Sequence, residues 1–214
     1  MKLENKNIFL SCACTNPVDY TVFTGRQRLD HLLKTVDSCR QVSDSINVIS
    51  EGSDLTSDQY EELSKVALVL TYTDEIVKLS IQNKQKGSII VWIKALEQME
   101  VPEDSNIFFL SGRYTLTSDF DENLFISDYT FKKHWYEKGR GGWYGTQLFK
   151  ISGSKLKEFT QILYECIDRI SNGTAQDLEC AIYQSLIARN IQPHELELVN
   201  CQGLLGPTGH LEIH

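Results

Sequence analysis

Ile107-Phe108-Phe109-Leu110 constrains the fold of this chain more than any other stretch. A continuous apolar run of this length reads as a strand buried on both faces. Such a strand needs a layer on each side, which places it inside a sheet covered by helices. It runs into Ser111-Gly112-Arg113-Tyr114-Thr115. In α/β sheets, ligands bind just beyond the carboxyl ends of the strands. Ser111, Gly112 and Arg113 are therefore expected at the mouth of a site. Glycine lets backbone approach a ligand closely, and arginine offers a planar fork for phosphate. The plain alternative is a turn with a solvated arginine.

The remaining periodicities agree with a sheet of this kind. Residues 8–13 read as a first strand. Thr24-Gly25-Arg26-Gln27 has capping-box form and opens a helix with Leu29, Leu32, Leu33 and Val36 on one face. Residues 46–50 read as a second strand. Thr56 to Gln59 repeats the capping-box form ahead of a short helix, and residues 66–71 read as a third strand. Ser88 is expected to cap a helix carrying Ile89, Trp92, Ile93 and Leu96, stopped near Pro102. This alternation predicts an α/β fold: one Rossmann-like domain with a mixed, mainly parallel sheet flanked by helices. Residues 118–153 lose periodicity, which marks a functional segment or hidden short strands. An amphipathic helix with Leu156, Phe159, Leu163, Ile167 and Ile170 follows, then a last helix from Thr174-Ala175-Gln176-Asp177 to about residue 188. The glycine-rich tail, residues 203–210, reads as a loop. Without repeats or linkers, residues 1–214 read as one domain.

Bulk properties exclude several functions. A net charge of -8 argues against broad nucleic-acid binding. No run approaches the roughly 18 apolar residues of a membrane span. The polar first residues do not read as a signal peptide, and the spacing of the six cysteines matches no zinc pattern. The cysteines are expected to be reduced and the chain cytoplasmic.

Several segments carry chemistry. Glu51, in Glu51-Gly52-Ser53-Asp54, follows the second strand, where a carboxylate can accept from ribose hydroxyls. Asn83-Lys84-Gln85-Lys86-Gly87-Ser88 precedes a helix, so Lys84, Lys86 and the helix N-terminus form a candidate anion site. Trp135, Tyr136, Trp143 and Tyr144 interleave with Lys132, Lys133 and Arg140. Aromatic faces stack on sugars while cations find phosphate; the alternative is a hairpin packed on the core. Asp177 and Glu179 open the last helix, either as first-turn charges or with Glu179 as a general base. His210 and His214 are candidate metal ligands.

Taken in order, these pieces resemble the small GT-A-type glycosyltransferases of large algal DNA viruses and bacterial surface-polysaccharide gene clusters. The residues that carry the resemblance are Arg28-x₆-Thr35-x₂-Ser38, Asn83-Lys84-x-Lys86-Gly87, and the Ile107 strand through Tyr114. Phe120-Asp121, Asp177-Leu178-Glu179 and Gly203-x₂-Gly206-Pro207-Thr208-Gly209 complete it. The resemblance implies transfer of a hexose from a nucleotide sugar, with UDP favoured and UDP-glucose among the candidates, to a glycan or glycoprotein acceptor. It implies a nucleotide-binding part over residues 1–115 and an acceptor-side part over residues 116–214. It places Ser11, Cys12, Ala13 and the residues on to Thr15, with Glu51, near the nucleoside, and Arg28 and Lys84 near the diphosphate. Glu179 then serves as base, with Asp121 the second choice, and Trp135 and Trp143 hold the acceptor.

Most GT-A enzymes place Asp-x-Asp after the fourth strand to hold a divalent metal. Here that position reads Ser111-Gly112-Arg113, and Asp119-Phe120-Asp121 comes several residues late. Manganese or magnesium, with Asp119 and His210 as ligands, stays open, as does direct neutralisation by Arg113. The rival readings are a nucleotidyltransferase or nucleotide-sugar hydrolase, and a binding domain without catalysis.

Overall fold

A computed structural model describes residues 3, 7–16, 21–139, 141–205 and 208–214, without the side chains of Ser80, Gln82 and Lys84. The first half alternates β1 (Asn7–Ala13), α1 (Gly25–Val42), β2 (Ile46–Glu51), α2 (Ser57–Ser64) and β3 (Leu68–Leu70). β1 pairs parallel with β2, and β2 with β3. Two successive helices, α3 (Asp74–Gln82) and α4 (Lys84–Gln98), then lead to β4 (Asn106–Ser111), which pairs parallel with the other side of β1. The chain thus builds outward from β1 and afterwards returns to its far side. That reversal opens a crevice between the carboxyl ends of β1 and β4.

Beyond β4, β9 (Leu148–Ser152) runs antiparallel to both β4 and β6 (Tyr129–Lys132), and β10 (His194–Leu196) lies parallel to β6. The central sheet has seven strands in the order β10-β6-β9-β4-β1-β2-β3. It is the mixed, mainly parallel α/β sheet that the sequence predicts. β5 (Tyr114–Leu116), β11 (Cys201–Leu204) and β12 (Leu211–Ile213) form a small antiparallel sheet, and β7 (Trp135–Glu137) pairs with β8 (Gly141–Trp143) as a hairpin. The aperiodic segment therefore does hide short strands, and the glycine-rich tail is partly strand.

Alternation along β4 fills both faces. Phe109 stacks on Phe149 at 4.6 Å, and Phe149 on Phe131 at 4.8 Å, an aromatic row across β4, β9 and β6. Trp92 of α4 meets this row edge-on, as does Phe159 of α5 (Leu156–Ser171). α6 (Leu178–Ala188) adds Leu178, Ile182 and Leu186 to the same core. On the opposite face Phe108 stacks on Phe9 at 4.9 Å, closed by Phe120, Phe125 and the small sheet.

Both capping boxes form. The Thr24 and Thr56 hydroxyls accept from Gln27 N and Gln59 N, and each glutamine returns to the cap backbone. One expectation is corrected. The segment Asn83 to Ser88 is not a turn before a helix but the first turn of α4 itself. Asn83 ends α3 and caps α4 within one residue, its Oδ1 accepting from Gln85 N and Lys86 N, both at 3.1 Å. Among the described residues no helix is long and apolar enough to cross a membrane.

Phe109 is fully buried against the rings of Trp92, Phe149 and Phe159, so Phe109→Ala should destabilise the chain by about 3–5 kcal/mol. Urea unfolding measures this. A loss below about 1 kcal/mol would mean the row is not the centre of the core.

Candidate functional site

The carboxyl ends of β1 and β4 meet in register, Cys12 opposite Ser111, and Gly112 N donates to Cys12 O at 3.1 Å. A Cβ on Gly112 would lie 3.0 Å from Leu32 Cδ1 and 3.2 Å from Cys12 O. The packing of α1 onto the strand ends is by itself enough to require glycine at 112. Its neighbour Arg113 is half-buried, and its Nη1 donates to Leu204 O at 2.8 Å.

Helix α1 carries a polar stripe alongside its apolar one. Ser38 Oγ accepts from Leu116 N at 3.0 Å, tying α1 to β5. His31 lies seven residues earlier, about 10 Å up the helix. Arg113 lies in the turn just before β5. The charges of Arg113 and Arg28 both reach His31, and that of Arg28 reaches Arg113. Arg28 Nε and His31 Nδ1 are buried without a hydrogen-bond partner among the described residues. Each such atom costs roughly 1–3 kcal/mol. Burial, then the Arg28 charge, lowers the pKa of Arg113. Burial and the charges of Lys34, Arg113 and Arg28 lower that of His31. Three basic side chains are held in one another's field at the mouth of the crevice, an arrangement suited to an anion. His31 escapes sequence reading because a lone histidine on a helix carries no motif.

Glu51 sits at this edge but is fully buried. Its oxygens accept from Thr15 N and Ser53 N at 2.9 Å and from both hydroxyls at 2.6 Å. Burial pushes its pKa up, against the pull of those hydrogen bonds. In place of the expected contact to ribose, it clamps the loop after β1 to the loop after β2. Ser11 is buried beneath the edge, whereas Cys12 and Ala13 are half-exposed. Lys86 is half-buried in the first turn of α4; the Lys84 side chain, like Arg140, Gly206 and Pro207, lies outside the described residues.

Across the crevice, Ser111 N donates to Gln147 O at 2.9 Å, and Thr146 Oγ1 donates to Glu179 Oε1 at 2.9 Å. Asp177 caps α6, accepting from Cys180 N, and Leu178 N donates to Gln85 Oε1, so the N-termini of α6 and α4 adjoin. Glu179 is thereby brought to the same sheet edge as Ser111.

The hairpin β7–β8 starts just past the carboxyl end of β6. Trp135 stacks on Trp143 at 4.6 Å, and Tyr136 is 77% exposed. Tyr144 differs from expectation. It is 2% exposed, stacks on Phe131 at 4.8 Å and donates to Glu195 Oε1 at 3.0 Å. It anchors the hairpin to the core and has no face for a ligand.

Three expected residues do not join the site. Asp121 caps a short turn by accepting from Asn123 N, and the adjacent Glu122 accepts from Asn7 Nδ2 at the amino end of β1. Asp121 is thus the length of a strand away from Glu179 and does not serve as the second base. Asp119 O accepts from Asn200 Nδ2 beside the start of β11, while exposed His210 pairs its carbonyl with Leu205 N beyond the end of that strand. The two cannot share an ion. Among the described residues no group of three His, Cys, Asp or Glu side chains could hold a metal.

Lys132, expected as a cation that finds phosphate, is engaged within the fold instead. Its buried Nζ lies 3.0 Å from His214 Nδ1 and 4.9 Å above the Trp135 ring. His214 Nε2 in turn meets Glu212 Oε2 at 3.2 Å, which also accepts from Tyr114 Oη at 2.5 Å. His214 therefore belongs to a polar network fastening the tail to the hairpin rather than to a metal site.

No protein-family model matches the chain, and no curated protein sequence does. Solved structures do match its fold. Apo-form glycosyltransferase GlyE of Streptococcus pneumoniae TIGR4 is 11% identical, with a TM-score of 0.56 over 91% of this chain and 46% of GlyE. Galactosyltransferase LgtC, in complex with donor and acceptor sugar analogs, is 10% identical, with a TM-score of 0.54 over 84% of this chain and 70% of LgtC. The fold is GT-A-like. A 4-diphosphocytidyl-2C-methyl-D-erythritol synthase shares it at 14% identity, with a TM-score of 0.52 over 96% of this chain and 94% of that one. At these identities the GT-A-like likeness concerns architecture, and activity rests on the site.

Burial and Lys132 hold the pKa of His214 below its ordinary value, with Glu212 pulling the other way. The folded state therefore binds fewer protons than the unfolded one. Its contribution is complete above the unfolded pKa of about 6.5 and declines as pH falls from there towards the folded pKa. The stability advantage of the wild type over His214→Gln should shrink between about pH 7.5 and about pH 5.5 in urea unfolding. A constant advantage would remove His214 from the acid response.

Proposed function

We propose that this chain is a glycosyltransferase that passes a hexose from a nucleotide-sugar donor to a glycan acceptor. The observation that carries this reading is the convergence at one sheet edge of a basic cluster, a hydroxyl-held carboxylate and an exposed aromatic hairpin. The first part, residues 1–115, takes the nucleotide at the β1–β4 crevice, and residues 116–214 supply the acceptor side of the same domain. A uridine diphosphate hexose is the favoured donor and the cytoplasm the favoured compartment.

In this mechanism Glu179, oriented by Thr146, removes the proton from the attacking acceptor hydroxyl. The hydroxyl oxygen forms a bond to the anomeric carbon as the bond from that carbon to the phosphate oxygen breaks. The electron pair leaves with the nucleoside diphosphate, whose charge is met by Arg28, His31 and Arg113. The Trp135–Trp143 hairpin offers an apolar face to the acceptor ring.

A second reading, transfer of a nucleotidyl group, is favoured by one observation. The synthase of a diphosphocytidyl compound matches this chain over nearly the whole length of both. Products separate the two: a new glycoside plus nucleoside diphosphate in the first, a nucleotide-linked product plus pyrophosphate in the second.

Glu179→Gln should keep the fold and nucleotide affinity but lower kcat by about 10²-fold or more. Wild-type turnover in this variant would leave Glu179 as a helix-start charge. Trp135→Ala should raise the acceptor KM several-fold at constant donor KM; an equal rise in both would place the hairpin outside the acceptor site.

A further inference from the structure

We propose that the donor diphosphate is neutralised by Arg28, His31 and Arg113 themselves, without a divalent metal bridging it to the protein. This rests on the reading of the crevice as a nucleotide-diphosphate site.

Hard divalent cations need several oxygen donors, carboxylates above all. The strand end where such donors would stand carries Ser111, Gly112 and Arg113. The nearby described carboxylates are otherwise engaged. Glu51 is occupied by Thr15 and Ser53, Glu212 by Tyr114 and His214, and Glu179 by Thr146. Asp119 and His210 stand at opposite ends of β11. A dication placed beside two guanidiniums would be repelled by them.

The same cluster has the complement a diphosphate lacks. Arg28 Nε is a buried donor without an acceptor, and His31 Nδ1 is a buried ring nitrogen without a partner, among the described residues. Arg113 is aimed by its bond to Leu204 O, so the tail sets the direction of its fork. His31 is itself fixed, edge-on to Phe23 at 4.8 Å, and Gly209 of the tail would bring a Cβ within 3.7 Å of Phe23 Cζ. The other charges on this stretch of α1 are the Arg26–Asp30 pair at 2.8 Å and Lys34. Asp30 and Glu212 act on His31 and Arg113 only through their fields, and among the described residues neither forms an ion pair with the three basic groups; planar N–H forks suit phosphate oxygens.

The test is isothermal titration of the full chain with UDP, inorganic pyrophosphate and uridine, first in excess EDTA and then with manganese. UDP and pyrophosphate should bind in EDTA, and manganese should change Kd by less than about threefold, well short of the tenfold that about 1.4 kcal/mol represents. Arg113→Ala should weaken UDP by about tenfold or more, as loss of a charge-assisted bond requires, and leave uridine unaffected. Arg28→Gln, whose Nε has no hydrogen bond to lose among the described residues, gives the same readout if Arg113→Ala fails to fold. Binding that appears only with manganese, or UDP affinity in EDTA indifferent to Arg28→Gln, overturns the proposal. Pyrophosphate and UDP binding in EDTA without any sugar transfer would leave the proposal standing and remove the glycosyltransferase reading. Transfer that depends wholly on manganese would do the reverse.

Discussion

The parallel pairing of β1 with β4 is the contact on which the rest of this molecule depends. It buries Phe108 and Phe109 on opposite faces and so recruits both outer layers. It also sets Cys12 beside Ser111 and brings Gly112 under Leu32 of α1. Because α1 is pressed onto the strand ends at that point, its first turns project over the crevice. The meeting of Arg28, His31 and Arg113 follows from that packing.

The arrangement costs stability. Buried donors without acceptors and neighbouring positive charges are features a stable core avoids. They persist here because the surrounding structure over-determines them: the Thr24 capping box starts α1, Ser38 ties α1 to β5, and Leu204 O holds Arg113. At the β7–β8 hairpin the logic is opposite. Tyr144 and Lys132 are satisfied by Glu195 and His214, and they serve to hold the hairpin and its exposed aromatics in place.

Much of this was legible in the sequence because it is encoded locally. Capping boxes at Thr24 and Thr56, the apolar run at Ile107 and the amphipathic face of α5 each need only neighbouring residues. The joint at Asn83 was not legible, since one residue there ends one helix and starts another. The tail strands were hidden by glycines whose purpose is tertiary; a Cβ on Gly203 would sit 2.5 Å from Arg113 O. Glu51, Tyr144 and Asp121 have the right chemistry, but burial or position assigns them structural work. His31 left one trace: polar residues at 28, 31, 35 and 38 recur at the helix period, although Thr35 and Ser38 are buried.

A crystal structure of the chain with a UDP-hexose, grown with EDTA, tests the central claim most directly. The account predicts both phosphates within hydrogen-bond distance of Arg28, His31 and Arg113, with the anomeric carbon turned towards Glu179. A nucleotide bound away from the β1–β4 crevice, or one whose phosphates leave all three basic side chains without contact, would contradict it.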